Sequence, residues 1–205
     1  MKLHFTDGSP YARIVRILIL EKGLTERVQL IPAAVRVADS PYYAINPSGR
    51  VPYFVRDDGV GMEDSALICA WLDQIDGQPC FAWTEDATGW EGRRLEVLAR
   101  SMLDGLAVWG RELARPENER SPTILRHEAA RCRRLADVWE QGGIDHPLMR
   151  GPLNLAQLTL ACGLGFEARF PALDWRTSHP RLCHWFADIS RRPSLAATVP
   201  GKAHG

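Results

Sequence analysis

The chain has 205 residues, 45% hydrophobic and 24% charged, which is enough for one or two domains with a sizeable core. Lys plus Arg equals Asp plus Glu at 25 each, so no overall field recruits nucleic acid or an anionic membrane, and neither is expected as a partner. Cys69, Cys80, Cys132, Cys162 and Cys183 are widely spaced and contain no C-x-x-C, which speaks against a disulfide framework or zinc knuckle and fits a reducing cytoplasm.

The first residues lack the apolar run of a signal peptide, and no stretch reaches the roughly 20 apolar residues of a spanning helix. A cytoplasmic location is therefore expected. Lys2 to Phe5 alternates in polarity and stops at Thr6-Asp7-Gly8, the pattern of a short strand and turn. Ser9-Pro10 then opens a helix over Tyr11 to Lys22, with serine as cap, proline as first helical residue and Gly23 as stop. Ile14, Val15, Ile17, Leu18 and Ile19 are too many for one narrow stripe, so the helix is expected to be buried on more than one side. A second strand follows at Val28 to Ile31, and strand, crossover helix and strand predict a parallel, right-handed βαβ unit. Pro41 to Ile45 fits a short helix or irregular chain equally well.

Val51 to Val55 is predicted as a strand. Asp57-Asp58-Gly59 makes a hairpin turn into a further strand at Val60 to Glu63. Asp64 or Ser65 caps a helix to about Ile75, and Asp76 to Asp86, with Gly77 and Pro79, has no clear period and reads as a linker. Beyond it the strand signals cease. Helices are predicted from Thr88 to Ala114, from the Ser121-Pro122 start to Gln141, from the Asn154 cap to about Arg169, and from Ser178-His179-Pro180 to Arg192. The reading is α/β plus all-α: residues 1–76 a βαβ-ββα domain, 77–86 a linker, and 87–205 an all-helical domain.

The run Asn46-Pro47-Ser48-Gly49-Arg50-Val51-Pro52 carries the first functional expectation. Two prolines and a turn-permitting glycine predict a fixed loop. Pro52, placed at a strand start, suggests a cis Val51–Pro52 bond that leaves the Val51 peptide facing outward, able to pair with a peptide-like ligand as one more strand. An ordinary Pro/Gly turn fits the same spacing.

Taken in order, Ser9 to Arg13, Asn46 to Pro52, Glu63-Asp64-Ser65, and His179-Pro180 through Trp185 to Arg192-Pro193-Ser194 resemble the cytosolic glutathione S-transferases of a bacterial type, over nearly the whole chain. The resemblance implies a thioredoxin-like first domain, an all-helical second one, a homodimer, a role in detoxification, and glutathione as co-substrate without a metal. It further implies that Val51, beside Arg50 and Pro52, pairs with the cysteinyl backbone of glutathione. Ser65 sits at a helix start suited to anions and is expected to take the γ-glutamyl carboxylate, with Asp64 meeting the α-ammonium and Arg50 a ligand carboxylate. Asp64 and Ser65 also read as a plain helix cap, and Arg50 as a solvated loop residue.

Ser9 is the expected catalytic residue. A free thiol has a pKa of about 8.5 and reacts as the thiolate. A hydroxyl hydrogen bond to a charged partner contributes roughly 1.5–3 kcal/mol and a helix start up to about 2, against about 1.4 per pKa unit, so thiolate can form without a dedicated base. Ser9 also reads as a simple cap, with Tyr11 and Thr6 as stand-ins. An electrophile pocket is expected from Tyr11, Leu103, Leu106 and Ala107, residues whose helical spacing equally suits a core. Asn154-Leu155-Ala156-Gln157 replaces the family's Ser/Thr-x-x-Asp capping box with an uncharged version. The alternatives to conjugation are a non-catalytic ligand- or protein-binding module and a glutathione-dependent peroxidase or thiol-disulfide reductase.

Overall fold

The structure, a computed structural model, describes residues 1–201. They divide into two compact units, Met1–Ala82 and a second that begins at Trp83.

In the first unit, strand β1 (Lys2–Phe5) leads into helix α1 (Pro10–Glu21) and then β2 (Gln29–Pro32). The short α2 (Tyr42–Ile45) settles the 41–45 segment as a helical turn. β3 (Tyr53–Val55), β4 (Gly61–Glu63) and α3 (Ser65–Gln74) follow. The sheet order is β2-β1-β3-β4, with β1 parallel to β2 and antiparallel to β3, and β3 antiparallel to β4. This is the expected βαβ-ββα, thioredoxin-like arrangement. The β3 strand begins at Tyr53, two residues later than Val51, because Pro52 has no N–H to give a ladder. α1 is buried from Ala12 through Ile19, as its five crowded aliphatics predict, and it packs beside α3 over a core of Leu3, Phe54, Ile68 and Leu72.

The start of the expected linker is fastened to the first unit. The buried Asp73 carboxylate accepts the backbone N–H groups of Cys80, Phe81 and Ala82 at 2.9, 2.9 and 2.8 Å. Lys22 Nζ reaches the Asp73 carbonyl, Asp76 Oδ1 and the Gln78 carbonyl. Burial alone would lower the Lys22 pKa. The Asp76 hydrogen bond and the charges of Asp73, Cys80 and Asp76 outweigh it and hold the value above the ordinary one, so the ammonium persists.

The second unit is helical: α4 (Ala87–Leu113), α5 (Pro122–Gln141), α6 (Pro147–Arg150), α7 (Leu155–Leu164), α8 (Pro180–Ile189) and α9 (Pro193–Ala197). α4 packs against α5 and α7 around Leu95, Met102, Leu106, Trp139 and Leu160. The predicted helix to Arg169 is α7 followed by a 3-10 turn, Gly165–Ala168, and the one to Arg192 stops at Ile189 before Pro193 opens α9. The uncharged capping box is complete. Asn154 Oδ1 accepts from Gln157 N–H at 3.1 Å, and Gln157 Oε1 accepts from Asn154 N–H at 3.2 Å. None of the five cysteines is in a disulfide.

Candidate functional site

The sheet register brings the expected site segments to one end of the first unit. His4 pairs with Tyr53 and Tyr53 with Glu63. The chain leaving β1 (Thr6 to Ser9), the chain entering β3 (Arg50 to Pro52) and the chain leaving β4 (Asp64, Ser65) therefore share that end. Strand direction alone produces the grouping, since β3 runs opposite to both neighbours.

The loop at 46–52 is held from within by side chains. Asn46 is 2% exposed. Its Nδ2 donates to the Arg50 carbonyl at 3.0 Å, and its Oδ1 accepts the Ser48 N–H at 3.1 Å, an Asx turn. The Tyr42 hydroxyl donates to the same Arg50 carbonyl, and burial holds that phenol above its ordinary pKa, so it remains a donor. The Ser48 hydroxyl donates to Glu63 Oε2 at 2.5 Å, which ties the loop to the end of β4. Gly49 has φ +65°, and a Cβ there would lie 2.8 Å from the Tyr43 ring, so a side chain would strain the backbone and push against that ring.

The peptide bond between Val51 and Pro52 is cis. Among the described residues neither the N–H nor the C=O of Val51 has a hydrogen-bond partner. This half-buried peptide unit beside the sheet is the expected open edge. The Arg50 guanidinium is exposed and has no partner among the described residues.

Asp64 and Ser65 divide the roles left open between them. Asp64, at φ 74°, is the cap of α3, its Oδ1 accepting the N–H groups of Ala66 at 2.7 Å and Leu67 at 3.4 Å. Ser65 is the first helical residue and is 2% exposed. Ser9 caps α1, its Oγ accepting the Ala12 N–H at 3.2 Å, while its backbone N–H donates to the Thr6 carbonyl. Accepting one bond leaves the hydroxyl proton to donate, and no acceptor for it stands among the described residues. Ser9, Thr6 and Tyr11 are each half-buried. Leu103, Leu106 and Ala107 are 0%, 1% and 5% exposed. Leu106 belongs to the core of the helical unit, and Leu103 backs onto Gly163 there. Their burial matches the core alternative that their spacing allowed.

Sequence reasoning gave no role to Asn46, Tyr42 or Glu63, the groups that fix the loop. An asparagine before Pro-Ser-Gly is an Asx-turn signal and made the first of them legible. Tyr42 and Glu63 are 8 and 15 residues from their partners, and no local pattern marks such pairs.

Residues 3–80 match the family model described as Glutathione S-transferase, N-terminal domain. The chain is 32% identical over 205 residues to the uncharacterized GST-like protein YibF of Escherichia coli (strain K12), covering 99% of this chain and 100% of that one. A glutathione transferase family member from Pseudomonas fluorescens Pf-5, solved with bound glutathione, superposes with a TM-score of 0.86 at 32% identity, covering 98% and 99% of the two chains. The same description applies to that family member solved with bound S-(propanoic acid)-glutathione, at a TM-score of 0.84, 32% identity, and coverage of 98% and 100%. With this relative matched end to end, and with the sheet-end geometry above, the chain belongs to the glutathione S-transferase family.

Proposed function

We propose that this chain binds glutathione in the first unit and conjugates its thiolate to a small hydrophobic electrophile. The observation that carries the reading is the unpaired Val51 peptide, set at the sheet end where α1 and α3 begin. The cysteinyl N–H and C=O of glutathione match it as an added strand. Structures of a relative with bound glutathione and with bound S-(propanoic acid)-glutathione support the ligand.

The remaining assignments follow from where each group stands. Ser65, at the start of α3, takes the γ-glutamyl carboxylate, where the helix dipole favours an anion. Asp64 spends one carboxylate oxygen on its cap, and the other is available to the α-ammonium. Arg50 takes the glycyl carboxylate, and Pro52 fixes the approach of the backbone. Ser9 donates its hydroxyl proton to the sulfur while the start of α1 favours the negative charge. The thiol proton passes to solvent, the thiolate attacks the electrophilic carbon, and the leaving group departs with its electron pair. Tyr11, half-buried in the first turn of α1, is the pocket residue proposed beside the sulfur.

A homodimer is part of this reading, supported by exposed apolar side chains on α3 (Leu67, 54%) and α4 (Trp90, 64%; Val97, 66%) that a partner copy would cover. Sedimentation of the full chain tests it, and a monomer at all concentrations rejects it.

Titration calorimetry with glutathione, followed by turnover of 1-chloro-2,4-dinitrobenzene, tests the function. Saturable binding and chloride release are expected. Saturable binding without turnover of any of a panel of aromatic and epoxide electrophiles overturns conjugation and leaves a binding module. Absence of binding at millimolar glutathione overturns the whole proposal.

A further inference from the structure

Helix α1 buries two arginines, Arg13 and Arg16, among its aliphatic residues, and Arg16 is 4% exposed. Arg16 follows Ser9 by seven residues, two helical turns, so the two share one face of α1 and lie about 10 Å apart along its axis. A helical side chain leans toward the N-terminus of its helix, which carries a long one back along that face toward the β1–α1 connection. The guanidinium ends there. Its central carbon lies over the Phe5 ring, 4.7 Å from the ring centre, and its Nη1 donates to Asp7 Oδ1 at 3.2 Å.

Phe5 is the last residue of β1, and Thr6 to Ser9 form a four-residue turn closed by the Ser9 N–H on the Thr6 carbonyl at 3.1 Å. Arg16 therefore grips the residue that leads into the turn and the second residue of the turn itself. Ser9 is its last residue. A planar guanidinium can cover a ring with its face while its edge donates to a carboxylate, which the point charge of a lysine cannot do at once. With Oγ of Ser9 committed to the Ala12 N–H, where that oxygen stands follows the backbone of the turn. Hydrogen bonds weaken steeply with distance and angle, so a shift of about 0.5 Å there would be felt by a partner of the hydroxyl.

We infer that Arg16 is a positioning residue for Ser9: by gripping Phe5 and Asp7 it sets the turn that places the Ser9 hydroxyl against the glutathione sulfur. The inference rests on the glutathione reading above and adds to it a residue that touches neither ligand nor sulfur. Two other roles for the same pair predict different outcomes. A tie that served the fold alone would lower stability when cut and leave the thiol as it was. A pair acting by charge would favour the thiolate when the Asp7 carboxylate is removed, because an anion near the sulfur would be gone.

Substitution at Asp7 separates the three roles, and its side chain is 52% exposed, so the core is left intact. Asp7→Asn keeps an oxygen to accept from Nη1 and gives up the charge, whereas Asp7→Ala gives up both. The full chain and its variants are compared by the thiolate absorbance of bound glutathione against pH, by kcat and KM for 1-chloro-2,4-dinitrobenzene conjugation, and by urea midpoint. Asp7→Ala should raise the thiol pKa by about half a unit and lower kcat about threefold below that pKa. KM for glutathione should stay as it is, since the tripeptide is proposed to be held at Val51 and Ser65. Asp7→Asn should match wild type, and Arg16→Lys should match Asp7→Ala. A thiol pKa equal in wild type and Asp7→Ala, whatever the urea midpoint, overturns the inference, and so does a pKa that falls in both Asp7 variants. If Arg16→Lys does not fold, the Asp7 variants decide alone. Each of these results leaves conjugation standing. Wild type that forms no thiolate with glutathione overturns the conjugation reading and the inference with it.

Discussion

Ser9-Pro10 and Ser121-Pro122 open α1 and α5 with nearly the same backbone, φ/ψ of −89°/115° and −81°/111°. In each the serine Oγ accepts from the third residue on, at 3.2 Å from Ala12 and 3.3 Å from Ile124. They differ in what meets the positive end of the helix. At α5 the chain supplies an anion: the buried Glu112 carboxylate accepts the Ser121 N–H. At α1 the N–H of Ser9 goes to the Thr6 carbonyl, a neutral group, and no acidic residue stands in the first turn. One serine start is already compensated, and the other keeps its field and its hydroxyl proton for the thiolate proposed here. Capping chemistry is thus common to both, and neighbourhood decides which can be a site.

The sharpest way to break that contrast is to dismantle the neighbourhood of Ser9 and leave the serine alone. Asn46→Ala removes the donor to the Arg50 carbonyl and the acceptor for Ser48. It should cost about 2 kcal/mol, the scale of two lost hydrogen bonds, since the Arg50 carbonyl keeps the Tyr42 hydroxyl and Ser48 is exposed. Urea unfolding reads the stability, and calorimetry should show glutathione affinity lowered more than tenfold as the Val51 edge loses its support. Affinity unchanged in a folded variant would mean that the loop does not position the ligand.

Next in size is the serine exchange itself. Ser9→Ala should slow conjugation about tenfold and raise the pKa of the bound thiol by about one unit, read from thiolate absorbance against pH, while Ser9→Thr keeps both. Ser121→Ala should cost the same cap energy, about 1 kcal/mol in each variant, with no change in conjugation. Equal catalytic losses at the two positions would erase the distinction drawn between them.

The sequence carried both serine starts with equal clarity, because Ser-Pro is a local signal read over three or four residues. It also carried two relative strand directions, parallel within the βαβ unit and antiparallel within the hairpin, but not the antiparallel β1–β3 pairing that groups Ser9, Val51 and Ser65. What decides between the two starts is not local. Glu112 precedes Ser121 by 9 residues and reaches it only because α4 ends near the start of α5. The linker is a similar case. Gly77 and Pro79 read as punctuation, yet Asp73 gathers three N–H groups 7 to 9 residues downstream and joins that segment to the first unit. Helix ends after Leu164 and Ile189 escaped the reading because a helix turning into a 3-10 segment, or one proline-started helix following another, keeps an apolar pattern running past the true stop.

The smallest effect concerns acid, and it falls on the Ser9 side of the comparison. His4 lies in β1, 5% exposed, with the rings of Tyr42 at 5.6 Å and Tyr53 at 6.5 Å between ring centres. Burial, helped by the charge of Lys2, pushes its pKa below the ordinary 6.5. Between the native and unfolded values the unfolded chain binds the extra proton, so the His4 contribution to stability is complete above pH 6.5 and falls as pH drops through the lower native value. Wild type should therefore lose stability between pH 7.5 and pH 5 faster than His4→Leu, as the difference in urea midpoints at each pH. The other histidines are common to both proteins and cancel in that difference. Because Tyr42 also holds the Arg50 carbonyl, the same acid range should loosen glutathione binding in wild type more than in the variant, whereas the helical unit carrying Ser121 should respond alike in both. Parallel pH profiles for the two proteins would remove His4 from the account.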